Sequence, residues 1–199
     1  FTAGGVGYEA TVANADTIMM ASFNFEKKTV KLVSFLRDSY IEVRGLKGGV
    51  GMNKLNSAYA NGGMGWLINT LNYRGNYGLD IQYYVGVGFR NFEKMIDAVG
   101  GVDVELTADE CYYINWRCAD IGKHESTAVK DKAPQLLAEQ DKAVLELVDG
   151  VHHLNGLQTL WYSRDRTTGQ DEASTGSDFT RTGRQQQVLQ LVYDKMRTE

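Results

Sequence analysis

The stretch from Gly150 to Leu191, GVHHLNGLQTLWYSRDRTTGQDEASTGSDFTRTGRQQQVLQL, predicts two helices that bracket a polar segment. Apolar side chains recur at helical spacing after an Asn-Gly turn, so a short amphipathic helix should end near Arg164. The polar segment that follows has no apolar periodicity and is typical of a loop over a site. A second helix is predicted to begin near Asp178. Its positions predicted to face a core are Val188, Leu189, Val192 and Met196.

The basic side chains of this stretch are arginines. Four of the chain's ten arginines fall within twenty-one residues here, namely Arg164, Arg166, Arg181 and Arg184. The guanidinium fork matches carboxylate and phosphate oxygens two at a time, which favours a phosphate-rich ligand. The alternative is that Arg164 and Arg166 pair with nearby carboxylates on a solvated surface. For Asp178, the alternative to a site role is that of a helix N-cap.

Length and composition predict one domain over residues 1–199. The chain is 43% hydrophobic, which is enough for one core. A net charge of −4 and a pI near 5.5 argue against general affinity for nucleic acid. No apolar run is long enough to span a bilayer, and the first residues lack the order of a signal peptide.

Two cysteines, Cys111 and Cys118, stand with six residues between them. They are too few for a structural zinc site, and no histidine has the spacing to complete one. A local disulfide in an extracytoplasmic protein is the favoured interpretation, and two buried thiols are the alternative.

An antiparallel hairpin is predicted between TIMMASFNF and TVKLVSFL, with its turn near Glu26-Lys27. In an antiparallel pair, the residue numbers of opposite positions add up to a constant sum. Counting outward from the turn, Asp16 should therefore lie opposite Arg37, next to Asp38. Magnesium takes oxygen ligands and bridges carboxylates to phosphates, so this edge suits a cation beside an anionic ligand. The alternative is a cross-strand salt bridge that fixes the register.

The rest of the chain alternates predicted helices and strands. Helical stretches are expected around 56–60 and 64–73, and again from Phe89 to a Gly-Gly C-cap. Strands are expected in LDIQYYVGVGF, VDVEL and AVLELVDGVHHL, whereas residues 107–141 are predicted to be loops with at most a hairpin. The expected fold class is α/β, an α-β-α sandwich with a mixed central sheet and helices on both faces.

The order of motifs closely resembles the LytR-CpsA-Psr family of cell-envelope phosphotransferases. The motifs are NADTIMM, SFLRDS, MNKLNSAYANGG, AVGGVDVEL, DGVHHLNGLQTLWYSRDR and DFTRTGRQQQVLQL, and they run from Asp16 to about Leu191. The resemblance implies an extracytoplasmic domain on one N-terminal membrane helix, which would precede residue 1. It also implies transfer of a glycopolymer from a polyprenyl-pyrophosphate carrier to peptidoglycan, with formation of a phosphodiester.

The resemblance also implies site residues. Those that match its charged motifs are Arg37, Asp38, Arg164, Arg166, Asp178 and Arg181, and Asp16 matches the aspartate that binds Mg²⁺. In this hypothesis the arginines cradle the pyrophosphate, and Asp178 or Asp38 accepts the proton of the attacking hydroxyl or orients an arginine. Further candidates for substrate binding are Arg184, Gln185, Phe89, Phe92, Ile96 and Leu160, with Trp66 and Leu67 as possible lipid-groove lining; each apolar one is equally an ordinary core residue.

Two departures from the family pattern stand out. Leu36 replaces the usual proline before Arg37, and FTAGGVGYEAT has no match to the family's Asp-x-Arg segment. The second departure leaves metal binding by this chain open. Two other functions remain alternatives: a pyrophosphatase that uses water as acceptor, and a non-catalytic module that binds the lipid carrier or glycan.

Overall fold

A computed structural model describes residues 15–45, 50–124, 144–165 and 178–198. The chain forms two compact units, Phe1–Gly86 and Val87–Glu199, and each is described by itself. The single domain over residues 1–199 stays a prediction.

The described part of the first unit starts with the predicted hairpin. Strand β1 covers Ile18–Asn24 and β2 covers Thr29–Phe35. They pair antiparallel from Ile18 opposite Phe35 to Asn24 opposite Thr29. Asp16 and Arg37 continue the same index sum beyond the last pair, so the predicted register is confirmed.

A second antiparallel pair leads into the first helix. Strand β3 covers Tyr40–Arg44, β4 covers Val50–Lys54, and helix α1 follows at once over Leu55–Asn72. The two predicted helical stretches are one element with a kink at Gly62 and Gly63, where φ and ψ leave the helical region. A side chain at Gly62 would collide with the Trp66 ring, which lies about where a Cβ would stand.

The strand expected in LDIQYYVGVGF is wrong, because this segment has no regular structure before Phe89, where the next helix begins. The side chain of Asn72 takes the hydrogen bonds that a neighbouring strand would offer. Its Oδ1 accepts from the Ile81 amide at 2.9 Å, and its Nδ2 donates to the Ile81 carbonyl at 3.0 Å. Tyr83 and Val85 are exposed, so the alternation in the sequence does not correspond to a buried face.

The second unit contains the other strands and helices that the structure describes. Helix α2 covers Phe89–Ala98, β5 Val102–Leu106, α3 Ala108–His124, β6 Gly150–Leu154, α4 Gly156–Arg164 and α5 Asp178–Thr198. Strands β5 and β6 pair antiparallel, and Val102, Val104 and Leu106 of β5 are buried. The strand predicted in AVLELVDGVHHL is therefore confirmed only from Gly150 onward.

Helix α3 corrects the prediction of loops after Thr107. Cys111, Ile114 and Cys118 lie on one face of this helix and are buried in the core of the second unit. Their spacing is helical, but exposed or partly exposed aromatic side chains between them conceal the stripe in the sequence. Asp109 and Glu110 in the first turn suit the positive end of the helix dipole.

The favoured disulfide between Cys111 and Cys118 is also wrong, since both are free, buried cysteines. Seven positions on one α-helix place two Cα atoms about 10 Å apart, beyond the reach of a disulfide. Burial raises the pKa of the Cys111 thiol and raises the pKa of Cys118 to about 12. The two side chains serve the core as small apolar groups.

The core of the second unit includes buried residues from four of its helices and both of its strands. Val188 and Val192 of α5 are buried as predicted, whereas Met196 is exposed, which corrects the expectation for the last turn. The α/β class is confirmed: the described strands form three two-stranded antiparallel sheets, alongside helices in both units. No helix in the described parts is both long and apolar enough to cross a membrane.

Candidate functional site

In the first unit, the predicted group around Arg37 is present. Arg37 donates from Nη1 to Oδ1 of Asp16 at 2.5 Å, and its Nε lies 3.4 Å from Oδ2 of Asp38. Lys54 adds a second cation, with Nζ 2.8 Å from Oδ1 of Asp38. The guanidinium is the most buried of these groups, at 22% exposure, while the two carboxylates are nearly half exposed.

The backbone that carries Arg37 is fixed by the start of helix α1. The Asn56 amide donates to the Arg37 carbonyl at 2.9 Å, and the Leu55 amide donates to the Ser39 carbonyl at 2.8 Å. These are amides of the first helical turn, which have no partner inside a helix. The turn after β2 therefore holds its position without the proline that the family motif has there.

The ionic neighbours of Asp38 decide its chemical role. The hydrogen bond from Lys54 is the largest cause that lowers the pKa of Asp38, and the charges of Lys54 and Arg37 lower it further against the opposing effect of burial. A carboxylate with a lowered pKa is a weaker base. This favours the interpretation of Asp38 as a group that orients Arg37 and Lys54 over that of a proton acceptor.

The charged groups near Asp16 match a metal site only in part. Among the described residues, no group of three or more His, Cys, Asp or Glu side chains is placed to hold a metal ion. Magnesium uses one or two carboxylates and completes its shell with water and substrate phosphates. The half-exposed Asp16 fits one such carboxylate, and its present partner is Arg37.

In the second unit, helix α4 places Arg164 at its last position, as predicted. The helix starts with a capping box, in which Asn155 accepts from the Gln158 amide and the Gln158 side chain accepts from the Asn155 amide, both at 2.9 Å. The Gly156 amide also donates to Oδ1 of Asp97 at 2.7 Å. Helix α2 therefore positions the start of α4, and nine residues of helix carry that position to Arg164.

The guanidinium of Arg164 is held by aromatic rings. Its Cζ lies 4.4 Å from the centre of the Phe89 ring and 5.5 Å from that of Trp161. Phe89 is 47% exposed, so this contact is at the surface of the unit. Among the described residues no carboxylate pairs with Arg164. The alternative of a surface pairing involved Asp165, which pairs with Arg184 instead, and Asp171, Glu172 and the Asp178 side chain, which lie outside the described residues. The charge is oriented by the rings and is not neutralised by them.

Arg184 has a different environment. Its Nη2 lies 2.5 Å from Oε1 of Glu110, and its Nη1 lies 2.8 Å from Oδ2 of Asp165. The arginine and Asp165 are almost fully buried, and Glu110 also accepts from the Thr107 amide at 2.9 Å. This buried group, which we call the Glu110–Arg184–Asp165 triad, joins α3, the end of α4 and α5. Arg184 thus links these elements through its two carboxylates, and its role in substrate binding stays a prediction.

The other predicted charged and polar residues are placed as follows. Arg181 is buried in α5, three residues before Arg184. Gln185 donates from Nε2 to the Ser163 carbonyl at 3.3 Å, which ties α5 to the last turn of α4. Asp178 is the first residue of α5, but its side chain lies outside the described residues, as does all of Arg166.

Some of the apolar residues predicted to line a lipid groove are exposed at the surface, and others are buried in the core. Phe89 is exposed and Phe92 is partly buried, whereas Ile96 is fully buried and Leu160 nearly so. In the first unit Leu67 is buried and Trp66 is partly buried. Phe89 is thus the candidate most accessible to a lipid, and the roles of the others in lipid binding stay predictions.

Four residues at or near these groups were not predicted from the sequence. Lys54, Glu110, Arg117 and Trp161 make the ionic and aromatic contacts described here. Trp161 stands three residues before Arg164, so helical spacing indicates that contact. Lys54, Glu110 and Arg117 are remote in sequence from their partners, and only the tertiary fold brings them there.

The comparisons with known proteins agree with the motifs. The LytR_cpsA_psr family model matches residues 7–199. The chain therefore belongs to the LytR-CpsA-Psr family.

Two curated relatives are similar to this chain over most of its length. Regulatory protein MsrR of Staphylococcus aureus is 32% identical over 184 residues, which cover 92% of this chain and 44% of MsrR. TagT of Bacillus subtilis, a polyisoprenyl-teichoic acid–peptidoglycan teichoic acid transferase, is 27% identical over 94% of this chain and 47% of TagT. The chain thus spans less than half the length of these curated relatives.

A solved structure of TagT with bound octaprenyl pyrophosphate lipid matches the fold with a TM-score of 0.64 and 25% identity. The match covers 94% of this chain and 61% of that structure's chain.

Proposed function

We propose that this chain transfers a glycopolymer from a polyprenyl-pyrophosphate carrier to peptidoglycan at the outer face of the cell membrane. Family membership supports the reaction class, since its relative TagT is a teichoic acid transferase and has a structure with a polyprenyl pyrophosphate. The observation that carries the proposal is Arg164, an arginine held by two rings and without a carboxylate partner among the described residues. Such a group is ready to bind an anion.

The chemistry that follows is phosphoryl transfer. The acceptor hydroxyl oxygen forms a bond to the phosphorus that carries the glycan, and the bond from that phosphorus to the bridging oxygen breaks. Polyprenyl phosphate leaves with the bridging oxygen and takes up negative charge. A preorganised guanidinium stabilises that developing charge, and Arg164 is our candidate for this role.

The proton of the hydroxyl needs an acceptor. Asp178 is the candidate base in the second unit, and the lowered pKa of Asp38 makes that residue the weaker candidate. In the first unit, Arg37 is proposed to bind phosphate oxygens, with Asp16 and Asp38 as its orienting partners.

Product analysis tests the proposal against hydrolysis and against simple binding. The chain is incubated with a short-chain polyprenyl-pyrophosphate-linked glycan and a peptidoglycan fragment, and the products are identified by mass spectrometry. The proposal expects a glycan joined to the fragment by a phosphodiester, together with polyprenyl phosphate. Free phosphorylated glycan in place of the joined product would indicate a pyrophosphatase, and unchanged substrate would indicate a binding module.

Magnesium dependence is a separate proposal, with Asp16 as the candidate ligand. Calorimetric binding of farnesyl diphosphate is measured with and without Mg²⁺, for the unchanged chain and for Asp16→Asn. We expect Mg²⁺ to strengthen binding of the diphosphate to the unchanged chain and to have a much smaller effect on the variant.

Asp80→Asn is the matched control, because Asp80 is an exposed aspartate of the same unit. Equal responses of Asp16→Asn and the control would contradict a metal role for Asp16. The exposed Asp16–Arg37 pair should contribute less than about 1 kcal/mol to stability, so unfolding of the variant should not confuse the result.

A further inference from the structure

The neighbourhood of Trp161 contains a second guanidinium, which belongs to Arg117 of α3. The Arg117 Cζ lies 4.0 Å from the centre of the Trp161 ring and 5.4 Å from that of Trp116. Arg164 lies 5.5 Å from the same Trp161 ring. Because one indole contacts both groups, Arg117 and Arg164 are neighbours although 46 residues separate them in the sequence.

The described residues provide no counter-ion for these two arginines. Arg184 pairs with Glu110 and Asp165, and Arg37 and Arg44 also have carboxylate partners. The contacts of Arg117 and Arg164 with other described side chains are ring contacts. Two partly buried positive charges that share one ring repel each other, and an anion placed against both would relieve that repulsion.

Two nitrogen donors of the Arg117 and Trp161 side chains lack a hydrogen-bond acceptor among the described residues. Within the described part of the chain, Nε of Arg117 and Nε1 of Trp161 are buried and have no hydrogen-bond partner. An unsatisfied buried donor costs about 1 to 3 kcal/mol, so two of them on one stack call for an explanation. An acceptor from a bound ligand, directly or through water, would satisfy them.

The electrostatics of Tyr113 agree with this geometry. Burial is the main cause that raises the pKa of Tyr113, and the charge of Asp165 also raises it, while Arg117, Arg164 and Arg184 each lower it. Three guanidinium groups therefore lie within electrostatic range of one phenol on α3. Asp165 pairs with Arg184. Arg117 and Arg164 are therefore the two of these three arginines that we consider as ligand-binding groups.

We propose that Arg117 is a further substrate-binding residue, which together with Arg164 holds the two phosphates of a diphosphate ester beside Trp161. This inference rests on the proposed function and adds to it a residue outside the family motifs quoted above. Trp161 sets the spacing of the two guanidinium groups, and each group binds phosphate oxygens through its planar N–H donors. Arg117 is then a determinant of preference for a diphosphate over a monophosphate.

Calorimetric titration with farnesyl diphosphate and with farnesyl monophosphate tests this proposal. The proteins are the unchanged chain, Arg117→Gln, Arg117→Lys and Arg164→Gln. Arg197→Gln, which replaces an exposed arginine in the last turn of α5, is the matched control. Loss of a charged hydrogen-bond partner should weaken diphosphate binding by about 10-fold to 100-fold in Arg117→Gln.

The ratio of the two affinities distinguishes binding from a structural role. We expect Arg117→Gln to lose most of the preference for the diphosphate, Arg117→Lys to recover part of it, and Arg197→Gln to keep it. If Arg117 served only to hold Trp116 and Trp161 in place, Arg117→Gln would weaken the binding of both ligands equally and would lower the melting temperature. Equal weakening, or no change in either affinity, overturns the proposal.

The experiment also separates this inference from the proposed function. If Arg164→Gln loses diphosphate binding and Arg117→Gln keeps it, only the role of Arg117 fails. If the unchanged chain does not bind the diphosphate at all, both fail. Rescue by lysine together with a reduced diphosphate preference in Arg117→Gln supports both.

Discussion

At the scale of single residues, two arginines of the predicted cluster have different environments. Arg184 is enclosed by two carboxylates in the core, whereas Arg164 is held by rings at the surface. The sequence presents both as members of one arginine cluster. Their partners in the structure distinguish them: Arg184 joins helices through its two carboxylates, whereas Arg164 contacts rings and has no carboxylate partner within the described ranges.

The buried thiols give a first prediction at this scale. A pKa of about 12 leaves about one part in ten thousand of Cys118 as thiolate at pH 8, whereas an unperturbed thiol with a pKa of 9.0 would have roughly one part in ten. We therefore expect neither cysteine of the folded chain to react with a disulfide reagent within minutes, and both to react at once in denaturant. Rapid reaction of the folded chain, or detection of a native disulfide by mass spectrometry, would contradict the buried-thiol assignment.

The same shift predicts how stability depends on pH. Between pH 9 and pH 12 the unfolded chain loses thiol protons that the folded chain keeps. The unfolded state then binds fewer protons, so the free energy of unfolding should fall as the pH rises through this range. Cys118→Ala should reduce that fall, as measured by urea denaturation at several pH values.

A second prediction concerns the Glu110–Arg184–Asp165 triad. Replacing Arg184 by leucine leaves two carboxylates buried without their cation, which should cost about 3 to 5 kcal/mol of stability. Urea denaturation measures this loss, and Arg197→Gln is the exposed control, expected to change stability by less than about 0.5 kcal/mol. A loss below 1 kcal/mol for Arg184→Leu would mean that the triad does not hold these helices together.

At the scale of elements, the start of helix α4 fixes the position of Arg164. The capping box of Asn155 and Gln158 and the hydrogen bond to Asp97 of α2 all act on its first turn. Helix α2 approaches so closely that Gly156 has no room for a side chain. A Cβ on Gly156 would lie 2.2 Å from the Glu93 carbonyl oxygen.

Two glycine substitutions test this contact. Gly156→Ala should destabilise the chain by about 1 to 3 kcal/mol, because the two helices must separate. Gly183→Ala is the matched control: this glycine lies in helix α5 with nothing within 4 Å of the added Cβ, so alanine should stabilise by about 0.4 to 1 kcal/mol. Thermal unfolding measures both, and equal effects of the same sign would contradict the close packing of α2 and α4.

The elements that could be predicted from sequence are those with local signals. The register of Asp16 opposite Arg37 follows from one turn and a constant index sum, and α4 follows from its Asn-Gly start. The segment after Asp80 alternates like a strand, but Asn72 provides its hydrogen bonds, and such a contact is not readable from alternation. Helix α3 was missed because aromatic residues conceal its apolar stripe, and Glu110 and Arg117 were missed with it.

At the scale of the whole molecule, the chain belongs to a family whose members include a teichoic acid transferase. The motif order in the sequence was sufficient for that assignment. It also named the residues that are now found just after the end of β2, at the end of α4 and in α5. It did not indicate their partners, because these come from distant parts of the chain that meet only on folding.

We propose that the charge of Arg164 stabilises the transition state of phosphoryl transfer, and the rate of single-turnover transfer measures this contribution. Arg164→Gln and Arg197→Gln are compared with the unchanged chain, with the lipid-linked glycan and peptidoglycan fragment described above and with melting temperatures recorded in parallel. We expect Arg164→Gln to lose about 100-fold to 1,000-fold in rate while its melting temperature stays within a few degrees, and Arg197→Gln to keep its rate. A rate for Arg164→Gln within threefold of the unchanged chain would contradict the account.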